Sequence, residues 1–271
     1  MLTGSVRPVF PGLTTHALIG MVHLGPILER GVSLAGVERA AVRDAEALAK
    51  AGFDAIVIEN FGDRPFYPDQ VPTWTVAGMT RAILAVRAAV GALPLGVNVL
   101  RNDARSALAI AAATDAQAIR VNVHVGAAVT DQGLVMGRAH ETVRLRRELC
   151  PGVKVWADVR VKHAAPLADR PIAEEAEELA ERGEADALIV SGAKTGGATD
   201  PERLAEVRRH TRCPILVGSG ATPELLPKLL PVCDGLVVGS WLKVGGQVLA
   251  AVDPARAADF VAAARGLGAS H

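Results

Sequence analysis

In the run WADVRVKHA, Asp158, Arg160 and Lys162 alternate with Val159 and Val161, which places acid and base on one face of a single strand. Carboxylate and ammonium groups held together out of water can do general acid–base chemistry, because burial and neighbouring charge move their proton affinities toward neutrality. The pattern recurs elsewhere. His23 ends ALIGMVHL, and Glu59 and Asn60 end AIVIEN with Asp63 just beyond. Asn98 lies in LGVNVL, followed by Arg101, Asn102 and Asp103. Arg120, Asn122 and His124 alternate with Ile119, Val121 and Val123, and Ser191 ends ADALIVSG ahead of Lys194 and Thr195. Asp158 and Glu59 are the candidate general base or acid, and His23 is a candidate proton shuttle. Lys162 is a candidate electrostatic stabiliser or, as the less favoured role, a Schiff-base amine. Asn60, Asn98, Arg120, Asn122 and Ser191 are the candidates for positioning substrate. A structural alternative stands beside each role: Arg120 and Asp158 could simply pair between neighbouring strands, and Asp103 ahead of ARSALAIAAA suits a helix N-cap.

A second chemistry is carried by glycine. VGSGATPE contains Gly218, Ser219 and Gly220, and VVGSWLK contains Gly239 and Ser240. Such residues let backbone N–H groups approach an anion closely, and two such turns on adjacent strands suit a phosphate. A divalent metal on Glu59, Asp158 and a histidine is compatible with the residue types, but no spacing demands a metal or another cofactor.

These residues need a frame. Eight β-rich segments, at 17–24, 55–60, 95–100, 118–125, 153–161, 185–192, 214–220 and 234–240, are nearly all followed by a helical pattern. Asp200-Pro201 and Asp253-Pro254 read as helix starts, and Gly52 as a helix end. Strand and helix alternating in this way predict an α/β fold, a (β/α)8 TIM barrel, as a single domain over residues 1–271 with residues 1–15 as an extension. An open doubly wound sheet is the alternative, but HLGPILERG after the first strand is not a GxGxxG turn.

In a barrel, the valine face of each strand packs helices, so Arg120, Asn122 and His124, and likewise Trp156, Asp158, Arg160 and Lys162, are expected to face the lumen or its rim. The aromatic residues Phe61, Phe66, Tyr67 and Trp74 fall in the proline-stiffened run 60–74, which is expected to cover the mouth or seal onto the body. The run 124–137 is expected to be a long loop and a candidate mobile lid.

Composition narrows the partners. Lys plus Arg and Asp plus Glu both number 29, so no basic excess favours nucleic acid. Half the residues are hydrophobic, yet no apolar run is long enough to span a membrane. The N-terminus has no secretory pattern, and Cys150, Cys213 and Cys233 show neither disulfide nor zinc spacing. The expectation is a cytoplasmic protein acting on a phosphorylated small molecule, with homo-oligomerisation open.

The runs IGMVHL, IVIENFGDRPF, GVNVLRNDARSALAIA, IRVNVHVGAAVTDQGLVMGRA, ADVRVKHA, VSGAKTGGATD, VGSGATPE and GLVVGSWLK together resemble the BtpA family, also called BtpA/SgcQ, over nearly the whole chain. The resemblance implies a ribulose-phosphate-binding-barrel-like fold, related to a group dominated by isomerases, aldolases, epimerases and synthases of phosphorylated metabolites. It also implies two alternatives: a non-catalytic factor in photosystem I biogenesis, and a nucleosidase. The family's Pro-Leu-Pro-Gly-Ser-Pro-like loop after the first strand is replaced here by GPILERGVSL, which puts any ligand contact of that loop in doubt.

Overall fold

The computed structural model describes residues 8–10, 13, 16–27, 31–168, 170–192 and 199–268. Lys194 and Thr195 lie outside them. The parallel strands β1 (Ala17–His23), β2 (Ala55–Glu59), β3 (Leu95–Asn98), β4 (Ala118–Val121), β7 (Lys154–Val159), β9 (Ala187–Val190), β10 (Ile215–Val217) and β11 (Gly235–Val238) close into a barrel in the order β1-β11-β10-β9-β7-β4-β3-β2. The remaining strands, β5 (Ala127–Thr130), β6 (Gly133–Met136) and β8 (Ala164–Pro166), form an antiparallel sheet with β5 central. The helices are α1 (Leu34–Ala51), α2 (Thr73–Val90), α3 (Ala104–Thr114), α4 (Ala139–Leu149), α5 (Ile172–Glu181), α6 (Pro201–His210), α7 (Leu226–Leu229) and α8 (Pro254–Gly268). The expected (β/α)8 barrel is therefore the observed fold.

Local chemistry explains the helix ends. Asp103 caps α3 by accepting from the Ser106 N–H at 2.9 Å, and Asp200 caps α6 ahead of Pro201 by accepting from the Glu202 N–H at 3.0 Å. Gly52 closes α1 at φ 94°, a left-handed conformation that costs glycine little. Among the described residues no helix is long and apolar enough to cross a membrane.

The period-two alternation sorts two cores. Residues such as Leu18, Ile56, Val97, Ile119, Val155 and Leu188 pack outward against helices. Inward residues Ile19, Val57, Ala118, Trp156, Ile189, Leu216 and Val237 fill the N-terminal half of the lumen. Phe10 sits in this inner core with its ring edge-on to Trp156 at 4.8 Å, so part of the expected N-terminal extension plugs the barrel floor. Further along, the inward rows end in His23, Glu59, Asn98, Arg120, Asp158 and, just past β9, Ser191. The C-terminal half of the lumen is therefore polar.

Several expectations are corrected. β7 ends at Val159 because Arg160 takes φ 64°, and its side chain turns outward to pair with Glu175 of α5 at 2.8 Å. Arg160 is therefore not a lumen group, and the same turn brings Val161 onto the mouth instead of a helix. β4 ends at Val121, and His124 leaves the rim to bond the Gly183 carbonyl at 2.7 Å. The run 124–137 is not an irregular loop, because β5 and β6 form a hairpin within it. Of the aromatics in 60–74, Phe61 and Phe66 reach the mouth, whereas Tyr67 and Trp74 are exposed.

Candidate functional site

A cavity of about 850 Å³ opens at the C-terminal ends of the barrel strands. His23, Glu59, Arg120, Asn122, Lys162, Gly218, Ser219, Gly220, Gly239 and Ser240 all line it. Most of the sequence candidates thus converge on one site, the face where a TIM barrel builds its active centre. Asn60, Asn98, Asp158 and Ser191 stand behind this lining.

Glu59 and Asn98 are register partners on β2 and β3, and Asn98 Nδ2 donates to Glu59 Oε2 at 2.5 Å. Burial pushes the Glu59 carboxyl above its ordinary value. Arg120, Lys162 and the Asn98 bond oppose that rise, and Asp158 adds to it. His23 Nε2 lies 3.9 Å from Glu59 Oε1, with Phe61 edge-on to the imidazole. Burial, followed by the charges of Lys243, Lys162 and Arg120, holds His23 well below the usual histidine range, so its imidazole is neutral. Lys162 Nζ donates to the Gly218 carbonyl at 3.2 Å, and burial with nearby Arg120 brings its amine down to about 8. A carboxyl able to hold a proton and an amine able to lose one thus share the cavity, the combination expected of acid–base sites.

Asp158 is placed differently. Arg120 grips it through Nη2 at 2.9 Å and Nε at 3.2 Å, and Asn122 Nδ2 adds a bond at 2.6 Å. Both carboxylate oxygens are occupied, and the side chain is wholly buried. Its geometry is that of a strut that holds Arg120 and Asn122 on the cavity wall. Asn60 is also internal, accepting from the Leu100 N–H at 2.7 Å and donating to Asp63. Among the described residues no group of three His, Cys, Asp or Glu side chains could hold a metal ion, so the arrangement of Glu59, Asp158 and a histidine does not form.

The glycine-bearing strand ends occupy one side of the mouth. A Cβ on Gly218 would lie 2.4 Å from both Ser191 Oγ and Ile189 Cγ2, so packing alone demands glycine there. Gly220 takes φ 70°. Ser219 Oγ accepts from the Gly192 N–H at 3.2 Å, tying the β9 and β10 ends together.

Arg64, Arg101, Trp241 and Arg256 also line the cavity; sequence reasoning had Arg101 only among the polar residues after a strand end and gave the other three no role. Arg101 carried a usable signal, a charge directly after an apolar strand, and Arg101 Nη2 donates to the Lys162 carbonyl at 2.6 Å. Arg256 carried none, because it reaches the mouth from the first turn of α8 by stacking over Trp241 at 4.5 Å.

The BtpA family model matches residues 14–266. This chain belongs to the BtpA family. It is 46% identical to an uncharacterized protein of Thermococcus kodakarensis, over 92% of this chain and 95% of that one. It is 42% identical to the photosystem I biogenesis protein BtpA of Synechocystis, over 94% of this chain and 90% of that one. Among solved structures, this BtpA-family chain is similar to Mycobacterium tuberculosis tryptophan synthase, with TM-score 0.62 and 18% identity over 93% of each chain. It is also similar to N-(5'-phosphoribosyl)anthranilate isomerase of Pyrococcus furiosus, with TM-score 0.57 and 17% identity over 93% of this chain and 100% of that one. At these identities the likeness is one of fold.

Proposed function

We propose that this chain is a barrel enzyme acting on a phosphorylated sugar or nucleoside-like metabolite, by isomerase, lyase or hydrolase chemistry. One observation carries the reading: the glycine-bearing ends of β10 and β11 share a single cavity with Glu59, His23 and Lys162. In this reading Gly218, Ser219, Gly220, Gly239 and Ser240 hold the phosphate, with the Lys162 ammonium beside them. Glu59 delivers or accepts a proton at the substrate, its readiness to be protonated set by burial. Neutral His23 relays that proton. Arg120 and Asn122 orient substrate oxygens, with Asp158, Asn98, Asn60 and Ser191 as support. The phosphorylated ligand named for the isomerase neighbour accords with this reading.

A second reading is a non-catalytic biogenesis factor, as the name of the Synechocystis relative suggests. The exposed apolar side chains Val129, Leu134, Met136 and Leu167, on or beside the β6-β5-β8 sheet, favour that reading.

The experiment is a thermal-shift screen of phosphosugars, nucleotides and inorganic phosphate on the wild type and on Gly220→Asp. Phosphorylated compounds should raise the Tm of the wild type and leave the folded variant unmoved. Equal responses in both proteins would overturn the phosphate site.

A further inference from the structure

The cavity carries more positive charge than a single phosphate site needs. Five cationic side chains, Arg64, Arg101, Arg120, Lys162 and Arg256, line it against two carboxylates, Glu59 and Asp131. Among the described residues, Arg120 is the one of these cations held in an ion pair, with Asp158. Lys162 is bonded to a carbonyl, Arg64 stacks over Phe61 at 4.7 Å, and Arg256 bonds the Trp241 carbonyl at 2.6 Å.

Arg101 is the most demanding of them. It is 7% exposed, and among the described residues its one side-chain hydrogen bond is to the Lys162 carbonyl. Asp158, Asp131 and Glu59 act on it only at longer range, while Arg120 opposes them. A guanidinium withdrawn from water without a counter-charge is costly, and its planar fork suits a carboxylate or a phosphate.

Its place in the barrel gives that charge a meaning. Arg101 follows β3, and in the order β1-β11-β10-β9-β7-β4-β3-β2 that strand stands four strands from β10 either way round. The chain at Arg101 therefore leaves the barrel opposite Gly218, Ser219 and Gly220, and its guanidinium reaches inward to the Lys162 carbonyl past β7, so Lys162 stands between the two. Arg64, after β2, is on the Arg101 side, whereas Lys162 Nζ reaches over to the β10 side.

We infer that the substrate carries two anionic groups, a phosphate at the β10–β11 ends and a second phosphate or a carboxylate bound by Arg101 on the far side of Lys162. This inference rests on the phosphate site proposed above. Lys162 lies between the two sites, its carbonyl on Arg101 and its Nζ on Gly218, so together they select molecules charged at both ends, in a cavity shared with Glu59 and His23.

The test is isothermal titration calorimetry at fixed ionic strength with glycerol 3-phosphate, 3-phosphoglycerate and xylitol 1,5-bisphosphate. At least one of the two-anion probes should bind tenfold or more tightly than glycerol 3-phosphate, and which one does so identifies the second anion. Arg101→Gln, which removes the charge and keeps a polar side chain, should bring that ratio close to one. A parallel measurement on the wild type covers a variant that does not fold: the favoured two-anion probe should slow phenylglyoxal modification of Arg101, and glycerol 3-phosphate should not. If glycerol 3-phosphate binds and the second anion adds nothing, or if the gain survives in folded Arg101→Gln, the inference is overturned and the phosphate site stands. If none of the three probes binds, both are overturned.

Discussion

Arg120 on β4 and Asp158 on β7 form a two-point ion pair inside the barrel, Nη2 to Oδ1 at 2.9 Å and Nε to Oδ2 at 3.2 Å. Asn122 adds a bond to Oδ2 at 2.6 Å, so the carboxylate joins two cavity-lining side chains to the next strand. The pair fixes the geometry of the wall, and removal of its charge on one side is a stability experiment before it is a kinetic one.

Asp158→Asn should cost about 3–5 kcal/mol in urea unfolding, because it strands a buried guanidinium. Asn122 would also lose a charged acceptor. A variant within about 0.5 kcal/mol of wild type, the range of ordinary surface changes, would refute the strut.

Glu59→Gln tests the buried carboxyl. The folded-state value is raised above the ordinary 4.5, chiefly by burial, so the native chain retains a proton that the unfolded chain releases. Glu59 therefore makes wild-type stability fall as pH rises from about 4.5 through its folded value, and the deficit persists above that. The glutamine variant should match or exceed the wild type in urea at pH 8, with its relative advantage shrinking toward pH 4. An advantage that is constant or grows on acidification would contradict the assignment.

Lys162 should show its lowered amine directly. Its reaction with an amine-selective acylating reagent, followed by mass spectrometry, should reach half its plateau near pH 8. Inorganic phosphate should slow the reaction. Because the native amine is deprotonated more readily than the unfolded one, wild-type stability relative to Lys162→Met should rise as pH climbs from about 8 toward 10.5. Reactivity inflecting above pH 10, as for a surface lysine, would show that the side chain lies in water.

Gathering of the site was legible in the sequence wherever a strand was regular. Arg120 and Asn122 could be placed on the lumen side because Ile119 and Val121 had to face helices, and His23 and Glu59 could be placed at the mouth because they end their strands. Where the chain left the strand, alternation lost its meaning. Arg160 was misplaced because a positive φ at that single residue reverses the face, and nothing in VRVKH announces it. His124 was misplaced because β4 stops at Val121 and the chain turns to pair β5 with β6.

The sequence by itself determined the barrel, its polar C-terminal mouth and the glycine-bearing ends of β10 and β11. These follow from local rules: side chains alternate with period two, helices need caps, and apolar faces must be buried. Tertiary structure alone decided that Asp158 is enclosed by Arg120 and Asn122, that Phe10 plugs the floor beneath Trp156, and that Lys162 links Arg101 to Gly218 through its carbonyl and its Nζ. Those relations join residues far apart in the chain. They are fixed by barrel closure and strand register, which no local pattern specifies.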